Sequence, residues 1–283
     1  AQIWSGVVWG WILGELHHGI SSAWTVPVYL KTNLAKYIPG NVWHFYGRVV
    51  AVRQANAPLS VATLGVLLEP ILMATAALMI GTLGYAEILG AWNLGLLVIL
   101  AGLHPRLINI GLASLEKLAA SRLSQVPDPD GATTTPDPGL TVSAVPLNSP
   151  TPASVPNSVS PASVSIRRYP WQPLLGELGY VLLRGVGFTL VLVALSPIPW
   201  PAVPAIIGAF SLAWLVGFIV PGAPGGIGVF EAIALWLLSP TYGAALILAV
   251  VALHRLTSVL AEILGAALVV VDERLTTPAT ERQ

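Results

Sequence analysis

The sequence lacks cysteine, contains only two methionines and is poor in charged residues, which make up 9% of its 283 positions. The absence of cysteine excludes disulfides and sites in which thiolates bind a metal. Thirteen basic and thirteen acidic residues give a formal net charge of zero, so no overall charge points to nucleic acid as a partner. Soluble domains contain roughly 25% charged residues, and this shortage therefore argues against a soluble protein.

Apolar residues take the place of the missing charges. They make up 55% of the chain, and the mean hydropathy is +0.76. Several of the ten tryptophans flank apolar runs, as expected at the surfaces of a membrane. A helix that crosses a membrane needs about 20 mostly apolar residues. We predict an all-α fold, a polytopic transmembrane helical bundle, with candidate spans at residues 59–83, 92–103, 174–195, 202–220 and 244–271.

A segment rich in Pro, Ser and Thr divides the chain at residues 124–165. This composition cannot bury a core, so we predict a disordered linker, with a phosphorylated or partner-binding segment as the alternative. Lys and Arg are frequent beside the linker and after the last span. By the positive-inside rule, we predict that the linker and the C-terminus lie in the cytoplasm. We expect the protein to reside in the plasma (inner) membrane. The predicted units are a first half of the membrane domain at 1–123, the linker, a second half at 166–273 and a short tail at 274–283.

Each half contains a helix break in which Pro-Gly follows an aliphatic residue. Pro39-Gly40 follows an isoleucine, and Pro221-Gly222 follows a valine. Irregular backbone within a membrane is tolerated only where protein buries it or where it lines a wet cavity. We therefore predict two broken segments that could be re-entrant. As a hypothesis, they belong to a two-half internal repeat, in which such segments meet at a substrate site.

Charged residues inside or beside the predicted spans are the strongest functional signal, and they are Glu69, Glu177, Arg184, Glu231, Arg255 and Glu262. A charge within the bilayer is costly unless it is paired or hydrated. One interpretation is that these residues form structural ion pairs between helices. The other is that Arg184 and Arg255 bind an anionic group while the acids balance the charge, because a guanidinium donates two parallel hydrogen bonds to phosphate.

A second polar cluster is predicted near the first break. His44 and Arg48 lie one helical turn apart, close in sequence to Lys36 and Asn41. The glycines after the second break could present backbone N–H groups to an anion, but no Gly-Lys-Ser/Thr follows them, so they form no P-loop. The sequence contains no HExxH motif and no convincing serine nucleophile. We predict no catalytic residue, no metal site and no cofactor.

Two sequence blocks carry a resemblance to a known family. The first is KTNLAKYIPGNVWHFYGRVVAV at 31–52, and the second is PGAPGGIGVFEAIAL at 221–235, followed by HRLTSVLAEILG at 254–265. Together they resemble the transmembrane domain of the lysylphosphatidylglycerol synthase family, which are flippase-like integral membrane proteins. Matching positions are Pro39, Gly40, Asn41, Arg48, Glu69, Pro221, Gly222, Gly225, Gly226, Gly228, Glu231 and Arg255.

The resemblance implies a translocating membrane domain. In bifunctional members this domain moves aminoacylated phosphatidylglycerol across the membrane, and a separate cytoplasmic domain performs the tRNA-dependent aminoacylation. These 283 residues contain no such soluble domain, so the resemblance implies the translocating half and argues against an enzyme. The linker at 124–165 departs from the compact family pattern.

The leading hypothesis is a multi-pass membrane protein that flips or scrambles an anionic or aminoacylated phospholipid, or a lipid-linked headgroup. Two alternatives remain: a scaffold whose linker recruits a lipid-modifying synthase, and an intramembrane enzyme that acts on a lipid-linked substrate. The expected partners are membrane lipids, with a homo-oligomer or a separate synthase as further options. The candidate substrate-binding residues are Lys36, Pro39, Gly40, Asn41, His44, Arg48, Glu69, Arg184, Pro221, Gly222, Gly225, Gly226, Gly228, Glu231, Arg255 and Glu262.

Overall fold

A computed structural model describes residues 1–16, 20–38, 42–85, 100, 102–107, 109–110, 169–220 and 226–276. These residues form helices and short connections without a strand, which confirms the predicted all-α bundle. The linker at 124–165 and most of the predicted span at 92–103 lie outside the described residues.

The helices of the first half are α1 (Gln2–Leu16), α2 (Ser22–Asn33), α3 (Trp43–Gln54) and α4 (Leu59–Gly84). The helices of the second half are α5 (Trp171–Leu195), α6 (Val203–Ile219), α7 (Val229–Tyr242) and α8 (Ala244–Thr276). Short 3-10 turns at Leu34–Tyr37 and Trp200–Ala202 follow α2 and precede α6. Helix α8 continues three residues into the range that the sequence assigned to the tail.

Among the described residues, four stretches are long and apolar enough to cross a membrane, which makes this a membrane protein. They are α4, α5, the stretch Trp200–Ile219 that contains α6, and α8. The shortest has 20 residues and spans roughly 30 Å at 1.5 Å per residue, the thickness of the hydrocarbon core. Helix α7 is apolar but has only 14 residues, because Gly243 turns the chain with a φ of +80° before α8 begins.

Helix α4 joins the two halves into one bundle. It packs against α1 and α3 of the first half and against α5 and α6 of the second. Its closest approach is to α6, where a Cβ built on Gly84 or on Gly208 would lie 2.8 Å from the Cα of the other glycine. Small residues of this kind allow helix backbones to pack tightly within a membrane. A larger side chain at either position would push α4 and α6 apart.

The outer surface of the bundle is apolar, and its polar side chains point inward. Leucines along α5 and α8 are largely exposed, among them Leu182, Leu190, Leu256, Leu260 and Leu264. Such a surface suits lipid tails, because the tails are as apolar as the side chains they touch. Several charged residues of the spans form ion pairs inside the bundle.

Candidate functional site

One cavity of about 390 Å³ lies inside the bundle. Both halves line it: α2, α3, α4 and the first 3-10 turn from one side, and α5, α6, α7 and α8 from the other. The cavity also brings together most of the described candidate residues from the sequence: Lys36, His44, Arg48, Glu69, Arg184, Gly226, Glu231, Arg255 and Glu262.

The remaining candidates fall into two groups. Gly228 is described but does not line the cavity; it begins α7 with a φ of +88°, a conformation that glycine adopts readily. The others lie outside the described residues: Pro39, Gly40, Asn41, Pro221, Gly222 and Gly225. Residues flanking each break do reach the cavity, with Lys36 and Tyr37 on one side and Gly226 on the other.

Arg48 and Glu69 form the most deeply buried pair at the cavity. The Arg48 Nη1 atom lies 2.5 Å from Glu69 Oε2, and both residues are 2% exposed. The Tyr29 hydroxyl donates a hydrogen bond to Glu69 Oε1 at 2.8 Å and accepts one from Ser5 Oγ at 2.8 Å. The Arg48 guanidinium also lies 3.8 Å from the centre of the Tyr29 ring. Each charge is therefore compensated by an opposite charge, a hydrogen bond or an aromatic face.

Glu262 on α8 is the centre of a second cluster. Its Oε1 atom lies 2.7 Å from Lys36 Nζ and accepts a hydrogen bond from Gln2 Nε2 at 2.6 Å, while its Oε2 atom accepts one from the Tyr37 hydroxyl at 2.9 Å. This carboxylate ties the 3-10 turn before the first break to α8. Burial lowers the pKa of Lys36 from 10.5 to about 8, although the charge of Glu262 opposes the shift.

Arg255 and Glu231 fix the described end of the second break. Arg255 Nε lies 2.5 Å from Glu231 Oε1, and Arg255 Nη2 donates to the Gly226 carbonyl at 3.0 Å. Glu231 Oε2 accepts the Gly228 N–H at 2.7 Å, which caps the start of α7. A carboxylate in the first turn of a helix also interacts favourably with the helix dipole.

Arg184 on α5 is held less tightly than the other cations. Its Nη1 atom lies 4.0 Å from Glu262 Oε1, and its side chain is 16% exposed. Its Nε atom is buried without a hydrogen-bond partner among the described residues. A guanidinium has five N–H donors, and a buried donor without a partner is costly. Arg184 thus offers donors to a ligand in the cavity.

The cavity lining carries a net positive charge. Four cationic side chains and three carboxylates line it, which leaves a formal charge of +1. Burial, and then the nearby charges of Arg48 and Lys36, lower the pKa of His44 to about 3, so this histidine is neutral at ordinary pH. An anionic ligand would neutralise the excess charge.

The sequence analysis missed several polar residues of this cavity. Tyr29 and Asn33 line it together with Lys36. Their spacing of four and three residues is that of one helix face, and this signal could have been traced backward from the lysine. Gln2 had no comparable signal, because its contact with Glu262 joins residues 260 positions apart.

The described residues contain no group of three or more side chains suited to hold a metal ion. Comparison with protein-family models, with curated proteins and with solved structures finds no significant match to this chain. The resemblance to the lysylphosphatidylglycerol synthase family therefore stays a prediction from the two sequence blocks.

Proposed function

We propose that this membrane protein moves a phosphate-bearing lipid headgroup across the bilayer through the cavity. The observation that carries the proposal is Arg184: it is the cation with the longest ion-pair contact in a cavity of charge +1, and its buried Nε has no partner within the described part of the chain. A phosphodiester has one negative charge and would accept two parallel hydrogen bonds from this guanidinium.

The size and position of the cavity support a headgroup as the ligand. Ligand pockets usually measure about 300–1,000 Å³, and this cavity of about 390 Å³ can take a headgroup but not two acyl chains. All four candidate spans of the described residues line the cavity, through helices α4, α5, α6 and α8. The acyl chains would remain among the exposed leucines of the outer surface while the headgroup crosses.

The acidic side chains suggest how an amine on the headgroup would be bound. Glu262 contacts three donors and Glu231 contacts two residues, so either carboxylate can exchange one partner for an ammonium group. An aminoacylated phosphatidylglycerol, the substrate class that the family resemblance implies, contains both a phosphodiester and amines. We propose phosphatidylglycerol, with or without an aminoacyl group, as the substrate, and we place the linker and the C-terminus in the cytoplasm of a plasma membrane protein.

The experiment is a headgroup accessibility assay in proteoliposomes. Fluorescent phosphatidylglycerol in both leaflets is bleached from outside with dithionite, using wild type, Arg184→Gln and Arg106→Gln. Arg106 is exposed outside the cavity, so its replacement is a matched control that removes the same charge. We expect wild type and the control to expose inner-leaflet lipid, and Arg184→Gln to slow this at least about tenfold, the size of one lost charged hydrogen bond.

Two results would contradict the proposal. The first is a wild-type signal equal to that of empty liposomes for every anionic lipid tested. The second is equal rates for Arg184→Gln and Arg106→Gln when both variants elute as folded protein. A zwitterionic phosphatidylcholine serves as the lipid control, and we expect slower exposure because its quaternary ammonium has no N–H to donate to Glu262 or Glu231.

A further inference from the structure

Helix α5 contains a buried carboxyl group that the proposed function does not use. Glu177 is 0% exposed, does not line the cavity, and neither of its carboxyl oxygens has a hydrogen-bond partner among the described residues. An ionised carboxylate is very unfavourable in such surroundings, and a buried acid avoids the cost by binding a proton. Glu177 also lies within a candidate span, where solvation by water is least available.

The charged and titratable groups around Glu177 come from several helices. Glu69 on α4, Arg48 on α3, Tyr29 on α2 and Tyr180 on α5 interact with it electrostatically. The nearest cation, Arg48, is already bound to Glu69. Glu177 therefore lies close to a pair that lines the cavity, with a carboxylate nearby and, among the described residues, no further cation that interacts with it.

The other helices that pack against α5 bring no second cation to Glu177. Helix α1 packs at Gly176 with the apolar side chains of Val8 and Trp11. Helix α6 contains no titratable residue. On α8, His254 and Glu262 lie near Arg184, which is seven residues and about 10 Å along α5 from Glu177.

We propose that Glu177 is a proton-binding site coupled to the cavity, so that the protein carries a proton together with the anionic headgroup. The proposal rests on the proposed function. With Glu177 protonated, the cavity charge is +1 and suits a monoanion. With Glu177 ionised, that charge is cancelled before any ligand arrives. A phosphodiester would then bring the total charge to −1, which is unfavourable in surroundings of low dielectric constant.

Anion binding and proton binding therefore favour each other, and the coupling is reciprocal. With phosphatidylglycerol as the substrate, the cargo is one monoanion and one proton, which is held on a carboxyl oxygen of Glu177 on one side of the membrane and released on the other. Their charges cancel, so transport is electroneutral. A pH gradient, and not the membrane voltage, would bias the direction of transport.

The first test asks whether Glu177 holds a proton. Infrared spectra of purified protein are recorded from about pH 6 to about pH 10 for wild type, Glu177→Gln and Glu15→Gln. Glu15 is exposed, so its replacement removes a carboxyl group that lies at the surface instead of inside the bundle. We expect a protonated-carboxyl band in wild type and Glu15→Gln that is missing in Glu177→Gln and declines as the pH rises. An identical band in Glu177→Gln would overturn the proposal.

The second test measures the coupling itself. Binding of dihexanoyl phosphatidylglycerol is measured over the same pH range in a Lys36→Arg background, because Lys36 has a pKa of about 8 and would otherwise add its own titration. Above the Glu177 midpoint we expect affinity to fall by up to about tenfold per pH unit, the limit for one coupled proton. The same background with Glu177→Gln should bind with an affinity that does not change with pH.

A third measurement needs no variant of Glu177 and so does not depend on how Glu177→Gln folds. Binding of the same short-chain lipid to wild type in weakly buffered solution should take up as much as one proton per lipid near the midpoint. Lipid binding without proton uptake and without pH dependence would overturn the coupling and leave the proposed function standing. Failure of wild type to bind this lipid at any pH would overturn the proposed function, and the coupling with it.

Discussion

Arg48 and Arg184 are the same residue type in the same cavity, yet their surroundings differ in every respect. Arg48 is 2% exposed, lies 2.5 Å from a carboxylate and stacks on an aromatic ring. Arg184 is 16% exposed, lies 4.0 Å from its carboxylate and has a buried Nε without a partner among the described residues. The first arrangement satisfies the cation within the protein. The second leaves a cation that a ligand can satisfy.

The difference separates two roles that the sequence could not distinguish. The sequence analysis left structural ion pairs and anion binding as competing interpretations of the intramembrane charges. The cavity contains both a tightly paired arginine and a loosely paired one. The tight pair holds helices together, whereas the loosely paired cation retains hydrogen-bond donors. We therefore expect replacement of Arg48 to lower the stability of the protein and replacement of Arg184 to lower anion binding.

The largest effect is expected from Arg48→Met. This substitution leaves Glu69 buried without its cation, which costs about 3–5 kcal/mol of unfolding free energy. Denaturant titration of purified protein measures the loss. The control is the double variant Arg48→Met/Glu69→Met, which removes both charges and should recover most of the stability. A single variant as stable as wild type would show that the pair does not hold the bundle together.

Arg184→Gln should separate stability from binding. Because Arg184 has only a long contact to Glu262, we expect its unfolding free energy to change by less than about 1 kcal/mol. The same variant should lose anion binding, measured as in the lipid experiments above. If Arg184→Gln were as destabilised as Arg48→Met, the distinction between the two arginines would be wrong, and both would be structural.

An effect on stability that is smaller than that of Arg48→Met is expected at the second break. Glu231→Gln keeps an acceptor for the Gly228 N–H but removes the charge that binds Arg255. We expect a loss of about 1 kcal/mol in unfolding free energy, because a capping side chain remains and only the ion pair is lost. Glu231→Ala, which removes the cap as well, should cost about 1 kcal/mol more by the same measurement. Equal losses would show that the cap contributes nothing.

The fold was predictable where hydropathy alone determines an element. The predicted span at 59–83 agrees with α4 (Leu59–Gly84) to within one residue, because the apolar run and the helix end together there. Helix α8 reaches Thr276 instead of 271, since Asp272, Glu273 and Arg274 end the apolar run without breaking the helix. Hydropathy predicts where an apolar run ends, but the helix itself can continue into the polar residues that follow.

The site was predictable as a set of residues but not as a set of pairs. A charged side chain is costly in contact with lipid, so the charged residues of the spans are expected to lie together inside the bundle. This expectation needs no knowledge of the tertiary structure. Helical spacing places Arg255 and Glu262 on one face, seven residues apart, yet Arg255 binds Glu231 and Glu262 binds Lys36. Glu177 and Arg184 have the same spacing and form no ion pair among the described contacts. Which acid pairs with which base depends on how the helices pack against one another. The spacing of residues along one helix does not predict this packing.

The most specific effect concerns Lys36. Its pKa in the folded protein is about 8, below the ordinary 10.5, so the unfolded chain binds more protons between these values. The contribution of this lysine to the unfolding free energy therefore rises with pH from about pH 8 to about pH 10.5 and is constant below that window. Denaturant titrations at several pH values should show the rise in wild type.

Lys36→Arg and Lys36→Met should both remove this rise, because neither side chain titrates in the window. Their effects on the cavity differ, however. The arginine keeps the charge beside Glu262, whereas the methionine leaves that carboxylate with Gln2 and Tyr37 as close partners and lowers the cavity charge by one. Compared at the same pH, anion binding should therefore be weaker in Lys36→Met, and in wild type above about pH 8, than in Lys36→Arg. Equal binding by the two variants would show that the charge at position 36 has no part in attracting the anion.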